Sequence, residues 1–166
     1  MRKNIVYSQI GVIRSPFKTP WGTPIQPRGA EGMKGKVIVN KKYQRGLKDL
    51  EGFSHIILIY HFHLTKGYSL IVKPYMDDNP HGVFSTRAPQ RPNSIGISVV
   101  RLLKIEGNVL EVEDIDIIDG TPLLDIKPYV PQFDTRKGDK IGWLKNNIRK
   151  LPHTRDDGRF KNNLSK

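Results

Sequence analysis

The sequence has no cysteine among its 166 residues. Disulfides, thiolate zinc sites and a cysteine nucleophile are therefore excluded, and packing must hold the interior together. No apolar run approaches the roughly 20 residues that cross a bilayer. The stretch from Met1 to Phe17 carries basic side chains but not the apolar core of a secretory signal. These absences predict a soluble, cytoplasmic protein with no membrane attachment. No G-x-G-x-x-G, G-x-x-x-x-G-K-[ST] or G-x-S-x-G pattern is present, so a dinucleotide fold, a P-loop triphosphatase and a hydrolase nucleophile elbow are not signalled. The length suits one domain, which can bury roughly 70% of its unfolded surface.

Acids are scarce: 16 Asp and Glu stand against 28 Lys and Arg, a net charge of +12. The shortage is uneven. Residues 1–50 hold 11 basic and 2 acidic side chains, residues 101–135 hold 3 and 8, and residues 136–166 hold 10 and 3. Two basic ends around an acidic stretch suit a phosphate-bearing partner on one face and another task elsewhere, so nucleic acid is the first partner to consider. A basic domain that is merely soluble has the same total charge.

Apolar, β-branched runs dominate the remainder. Ile5 to Val12, Lys36 to Val39, His55 to Phe62, Leu70 to Val72, Ile97 to Leu103, Val109 to Ile118 and Leu123 to Ile126 all read as strands. Glu106-Gly107-Asn108 joins two of them as a hairpin with one wet face. Two helices are predicted. One is short, over Tyr43 to Leu50, and the other follows a capping Asp139, with an apolar stripe of Ile141, Leu144, Ile148 and Leu151 before Pro152. The tail from His153 onward is polar and aperiodic, and is expected to be loose or to dock. The chain is thus mainly β, with long Pro- and Gly-rich loops of the kind on which sites are built.

Three segments carry chemistry. The loop Gly82-Val-Phe-Ser-Thr-Arg-Ala-Pro-Gln-Arg-Pro-Asn-Ser-Ile-Gly96 presents two guanidiniums, Arg87 and Arg91, each able to take a carboxylate or phosphate. Pro89 and Pro92 stiffen it. The segment Asp116 to Tyr129 sets three acids, Asp116, Asp119 and Asp125, at the edges of an apolar run. There Asp119 reads either as a turn former or as a carboxylate for ribose hydroxyls or an amine. In the third segment, His61 and His63 share a strand parity with His55, but no third ligand accompanies them, so they read as proton carriers or barrel-lining residues and no metal site is expected.

These motifs are familiar as a set. Gly82 to Arg87 running into Arg91-Pro-Asn-Ser-Ile-Gly96, then Asp119-Gly-Thr-Pro122 and Leu124-Asp-Ile-Lys-Pro-Tyr-Val-Pro131, resemble the TsaA-like family, also called TrmO. The likeness also takes in Ile10 to Phe17, Pro24 to Arg28 and Gly52 to His63, over about residues 5 to 145. It implies a TsaA-like domain over 1–145, followed by a basic helix end and polar tail over 146–166. The implied fold is a single-sheet antiparallel β-barrel with long loops and one or two short helices, a methyltransferase without a Rossmann fold. The implied activity is S-adenosylmethionine-dependent methylation of N6 of threonylcarbamoyladenosine in the tRNA anticodon loop, by a homodimer. The sequence departs from the family pattern at Ala88-Pro-Gln90 and at Ser94.

The resemblance maps cofactor contacts to Pro24, Ile25, Gln26, Phe62, His63, Arg87, Ile97, Asp119, Gly120, Thr121 and Pro122. In that reading Arg87 meets the methionine carboxylate, Asp119 a ribose hydroxyl or the amine, and Phe62 and Ile97 flank the adenine. The tRNA falls to Arg28, Arg91, Asn93, Lys127, Lys145, Arg149 and Lys150. One proton must leave the methylated nitrogen, and His63 and Asp125 are the candidate bases. Methylation of another RNA or small molecule, and a non-catalytic RNA- or ligand-binding barrel, remain the alternatives.

Overall fold

A computed structural model describes residues 4–138 and 140–160. Its strands are β1 (Gly11–Arg14), β2 (Lys34–Val39), β3 (His55–His61), β4 (Ile71–Val72), β5 (His81–Gly82), β6 (Ile95–Glu106), β7 (Val109–Glu113) and β8 (Thr121–Pro128). Six of them close a barrel in the order β1-β2-β7-β6-β3-β8, every pair antiparallel, while β4 and β5 form a separate ribbon. This is the mainly β, single-barrel fold expected from the sequence. The pleat explains the closure. Alternate residues such as Ile56, Leu58 and Tyr60 of β3 point inward and are buried, together with Ile13, Val37, Val100, Leu110 and Leu123 from the other barrel strands.

The hairpin between β6 and β7 turns through Gly107 and Asn108, with Gly107 at φ +61°, a conformation that glycine adopts without strain. Two expected strands are shorter than their hydrophobic pattern. Residues 5–10 precede β1, with only Ile10 bonded backbone to backbone to its neighbours, donating to Leu123 O at 2.9 Å and accepting from Asn40 N–H at 2.8 Å, and Ile5, Val6 and Tyr7 are exposed. The run expected over Val109 to Ile118 stops at Glu113 because Asp114 turns to φ +66° and its carboxylate accepts the backbone N–H of Gly32 at 2.8 Å. Ile115 and Ile117 still bury themselves in the core with Asp116 between them.

Neither predicted helix is an α-helix. Residues 41–47 and 50–52 form 3-10 turns, separated by Asp49 at φ +67°. The C-terminal stripe also forms two 3-10 stretches, Gly142–Asn146 and Ile148–His153, because Gly142 at φ +57°, Asn147 at φ −112° and Pro152 each interrupt a longer helix. The expected Asp139 cap lies outside the described residues. Among the described residues the one α-helical turn is α1 (Pro131–Asp134), which the hydrophobic pattern does not signal.

The segment from residue 141 to residue 160 crosses position 145 inside a 3-10 turn and lies against the loops around residues 22–24 and the β4–β5 ribbon. Gly22 donates to Asp156 O at 2.7 Å and Asp156 donates back to Thr23 O at 2.8 Å, while Arg159 reaches Pro74 O at 2.7 Å. Trp143 stacks on His81 with centroids 4.7 Å apart and donates Nε1–H to Ser85 O at 2.8 Å. Phe160 completes a second small core with Val72, Val83 and Ala88. The polar tail therefore docks through residue 160.

Candidate active site

One end of the barrel opens into a cavity of about 710 Å³, a volume suited to a small-molecule ligand. Three walls meet there. The barrel supplies Tyr60, Phe62, His63, Ile95, Gly96, Ile97, Asp116 and Thr121; the loops supply Pro24, Ile25, Gln26, Phe84, Arg87 and Arg91; the C-terminal segment supplies Trp143, Leu144, Ile148, Leu151 and Phe160.

The floor is polar. Asp116 Oδ1 accepts the Ser98 hydroxyl at 2.7 Å, and Ser98 Oγ lies 3.0 Å from Tyr60 Oη, both residues being buried. Since the ionised carboxylate can only accept, Ser98 spends its single proton on Asp116 and takes that of Tyr60. Burial raises the Asp116 carboxyl to about 7, opposed by the Ser98 hydroxyl, its own backbone N–H and the Arg87 charge. Burial, reinforced by Asp116, also pushes the Tyr60 phenol far above its ordinary range.

Phe62 stands edge-on to Tyr60 at 5.4 Å. Strand β3 ends at His61, so the alternation that would have put His61 and His63 on one face does not continue; His63 lines the cavity and His61 is exposed. Thr121 donates its hydroxyl to Ile118 O at 2.7 Å and so receives His63 Nδ1–H at 3.4 Å, leaving Nε2 bare. Burial, with His61 adding to it, holds this imidazole below the usual histidine range. Arg87 Nη1 donates to Gln26 Oε1 at 2.8 Å, which aims the guanidinium from the rim.

Several expected site residues have other work or other locations. Asp119 accepts Ser15 N–H at 3.0 Å and pairs with Lys18 at 2.9 Å and Arg14 at 3.5 Å, which favours its turn-forming role. Asp119, Gly120 and Pro122 do not line the cavity, although Thr121 does. Asp125 pairs with Lys127 at 2.8 Å, and neither residue lines the cavity. Arg91 spends Nη1 on the carbonyls of Val83, Thr86 and Ala88 and thereby shapes its own loop. Arg28 and Asn93 are exposed outside the cavity. Lys150 Nζ is committed to Met76 O at 3.1 Å and Asn147 Oδ1 at 2.8 Å, whereas Lys145 and Arg149 are exposed.

Sequence reasoning missed the Asp116-Ser98-Tyr60 chain. Asp116 is visible in the sequence as one of three acids at the edges of an apolar run, but nothing there pairs it with Ser98 or Tyr60. Ser98 gave no signal at all.

Comparison with known proteins fits this architecture. The model of the tRNA-methyltransferase O N-terminal domain matches residues 12–135. The chain belongs to that family. A probable S-adenosyl-L-methionine-binding protein of Pyrococcus abyssi is 60% identical over 156 residues, covering 94% of this chain and 85% of the relative. The tRNA (adenine(37)-N6)-methyltransferase of Escherichia coli is 38% identical over 135 residues, 75% of this chain and 57% of the enzyme. The crystal structure of TrmO from Pseudomonas aeruginosa superposes with a TM-score of 0.71 at 38% identity, covering 85% of this chain and 63% of that one. This member of the TrmO N-terminal-domain family thus spans somewhat under two thirds of the solved TrmO chain. The cavity's C-terminal wall lies beyond the segment that the family model matches.

Proposed function

We propose that this protein binds S-adenosylmethionine in the barrel-end cavity and transfers its methyl group to N6 of a threonylcarbamoyl-modified adenosine in the tRNA anticodon loop. The observation that carries the reading is the cavity itself: a guanidinium at the rim, aromatic and aliphatic walls, and a carboxylate on the floor in one space of about 710 Å³. The rim guanidinium and the walls fit a zwitterionic, purine-bearing sulfonium. Bound there, the cofactor supplies an electrophilic methyl group. The residues of the chain do the rest. Arg87 takes a carboxylate in a charge-assisted bond that contributes about 1.5–3 kcal/mol, and Phe62 and Ile97 cover a purine. An anticodon-loop base enters without breaking a duplex. The same reading includes a cytoplasmic location and the homodimer that the resemblance implies; among the described residues no helix is long and apolar enough to cross a membrane.

Incubation with methyl-labelled S-adenosylmethionine and two tRNA pools, with and without the threonylcarbamoyl group, tests the proposal. Label on the modified adenosine alone is expected. Cofactor binding without label on either pool moves the reading to another methyl acceptor, an alternative supported by archaeal relatives named for S-adenosylmethionine binding alone.

Phosphate contacts make a second expectation. Lys145 and Arg149 have no side-chain partner among the described residues, whereas Lys150 is engaged. Replacing both with Gln should flatten the slope of log affinity for tRNA against log salt by roughly 1.4 to 1.8. An unchanged slope removes this segment from the RNA face.

A further inference from the structure

We infer that Asp116 is the proton acceptor of the site, taking through Oδ2 the proton released from the nitrogen that is methylated. The inference rests on the methyl-transfer reading above. Three groups in a row leave one place for an incoming proton. Oδ1 already receives the Ser98 hydroxyl at 2.7 Å, and Ser98 in turn receives Tyr60 Oη–H at 3.0 Å. Tyr60, held far above the usual phenol range, keeps its proton and fixes the direction of the chain. No other described residue hydrogen-bonds Oδ2, and Asp116 lines the cavity. A proton arriving from the cavity therefore goes to Oδ2.

Base strength selects Asp116 over its neighbour. Its carboxyl, raised to about 7 mainly by burial, is part-ionised at neutrality and still a competent acceptor. His63 also has a bare nitrogen, but burial lowers its affinity for a proton. The charged and titratable groups facing Asp116 are Tyr60 from β3 and Arg87 from the loop after β5. His63, Arg91, Tyr75 and Asp156 are the other such groups on the cavity wall. In the transfer, the N6–C bond forms as the methyl–sulfur bond breaks, and the bonding pair stays on sulfur and cancels its positive charge. The N6 proton moves to Oδ2, leaving a neutral carboxylic acid and a neutral methylated nitrogen.

Three measurements test this on the wild type, Asp116→Asn and Ser98→Ala: single-turnover transfer to threonylcarbamoylated tRNA from pH 5 to 9, cofactor affinity by calorimetry, and carboxyl-carbon NMR of the free, aspartate-labelled protein. The wild-type rate should rise with pH to a plateau with a midpoint near 7, matched by one carboxyl resonance that Asp116→Asn removes. Asp116→Asn should be about 10²- to 10⁴-fold slower, without that midpoint, at cofactor affinity within about threefold of wild type. Ser98→Ala deletes a donor to the ionised form and should move both midpoints upward. Equal losses of turnover and cofactor affinity in Asp116→Asn would mean that Asp116 holds positive charge rather than a proton, and would overturn the inference. So would a carboxyl that titrates near 4, whatever the turnover. If Asp116→Asn does not fold, a Ser98→Ala midpoint unmoved in both readouts overturns it. A wild type that transfers no methyl overturns the methyl-transfer reading itself, whereas an active wild type and an Asp116→Asn variant that keeps its acid limb overturn the role of Asp116 alone.

Discussion

Ending the chain after Lys140 will leave the six-stranded barrel folded and reduce S-adenosylmethionine affinity by at least about 100-fold. The barrel ladders run entirely between Gly11 and Pro128, and the main core is built from residues no later than Ile126. The cavity, by contrast, takes Trp143, Leu144, Ile148, Leu151 and Phe160 from the segment that would be lost. Large apolar side chains contribute about 1.5–3 kcal/mol each when fully buried, so losing two ligand contacts of that kind exceeds a hundredfold in affinity. Far-UV circular dichroism should retain its β signal while calorimetry shows the loss. Trp143→Ala in the full chain is the milder version. It removes the stack on His81 and the bond to Ser85 O, with an expected loss of about tenfold. A truncated protein that binds within threefold of the full chain would separate the C-terminal segment from the ligand.

That segment shows where sequence reading succeeds and where it stops. The stripe of Ile141, Leu144, Ile148 and Leu151 was legible as apolar, and Leu144, Ile148 and Leu151 do face the cavity. Its conformation was not legible, because a glycine at positive φ and a proline act through backbone sterics that hydrophobic spacing does not report. The strands were readable because period-2 burial is local, whereas the barrel followed from the family resemblance. Its closure pairs β3 with β6 and sets β8 between β3 and β1, pairings across many residues that no short pattern encodes. At the site, Arg87, Phe62, His63 and Thr121 were found through motif and resemblance, and all four line the cavity. Asp119 drew attention as the acid in a Asp-Gly turn, yet its carboxylate closes a loop by bonding to Ser15 and Lys18. Asp116, three residues earlier, has the open oxygen. The difference lies in tertiary partners: one acid meets two cations, the other a buried hydroxyl.

Gly96→Ala should be among the most damaging single-methyl changes in the barrel wall. Gly96 pairs with Tyr60 across β3 and β6, and the Tyr60 ring lies over the place where a side chain would stand. An added Cβ would overlap that ring and come within 2.8 Å of Phe62 Cζ. Tyr60 is buried and bonded to Ser98, and Phe62 abuts it edge-on at 5.4 Å. Relief requires the Tyr60 ring to rotate away, which breaks its bond to Ser98 and displaces Phe62 from the cavity wall. Overpacking of this kind costs about 1–3 kcal/mol, or roughly 2–12 °C in Tm for a chain of this size. Gly46→Ala is the control, since a Cβ there meets nothing within 4 Å. The two costs should separate by assay: calorimetric melting reports the strain, and cofactor affinity reports the moved Phe62. Because Ser98 loses its donor, its own bond to Asp116 weakens and the carboxyl midpoint of Gly96→Ala should move upward, in the same direction as in Ser98→Ala. Melting and midpoint both unchanged would mean that the rings above Gly96 are free to move, and the chain from Tyr60 to Asp116 would then not be a rigid one.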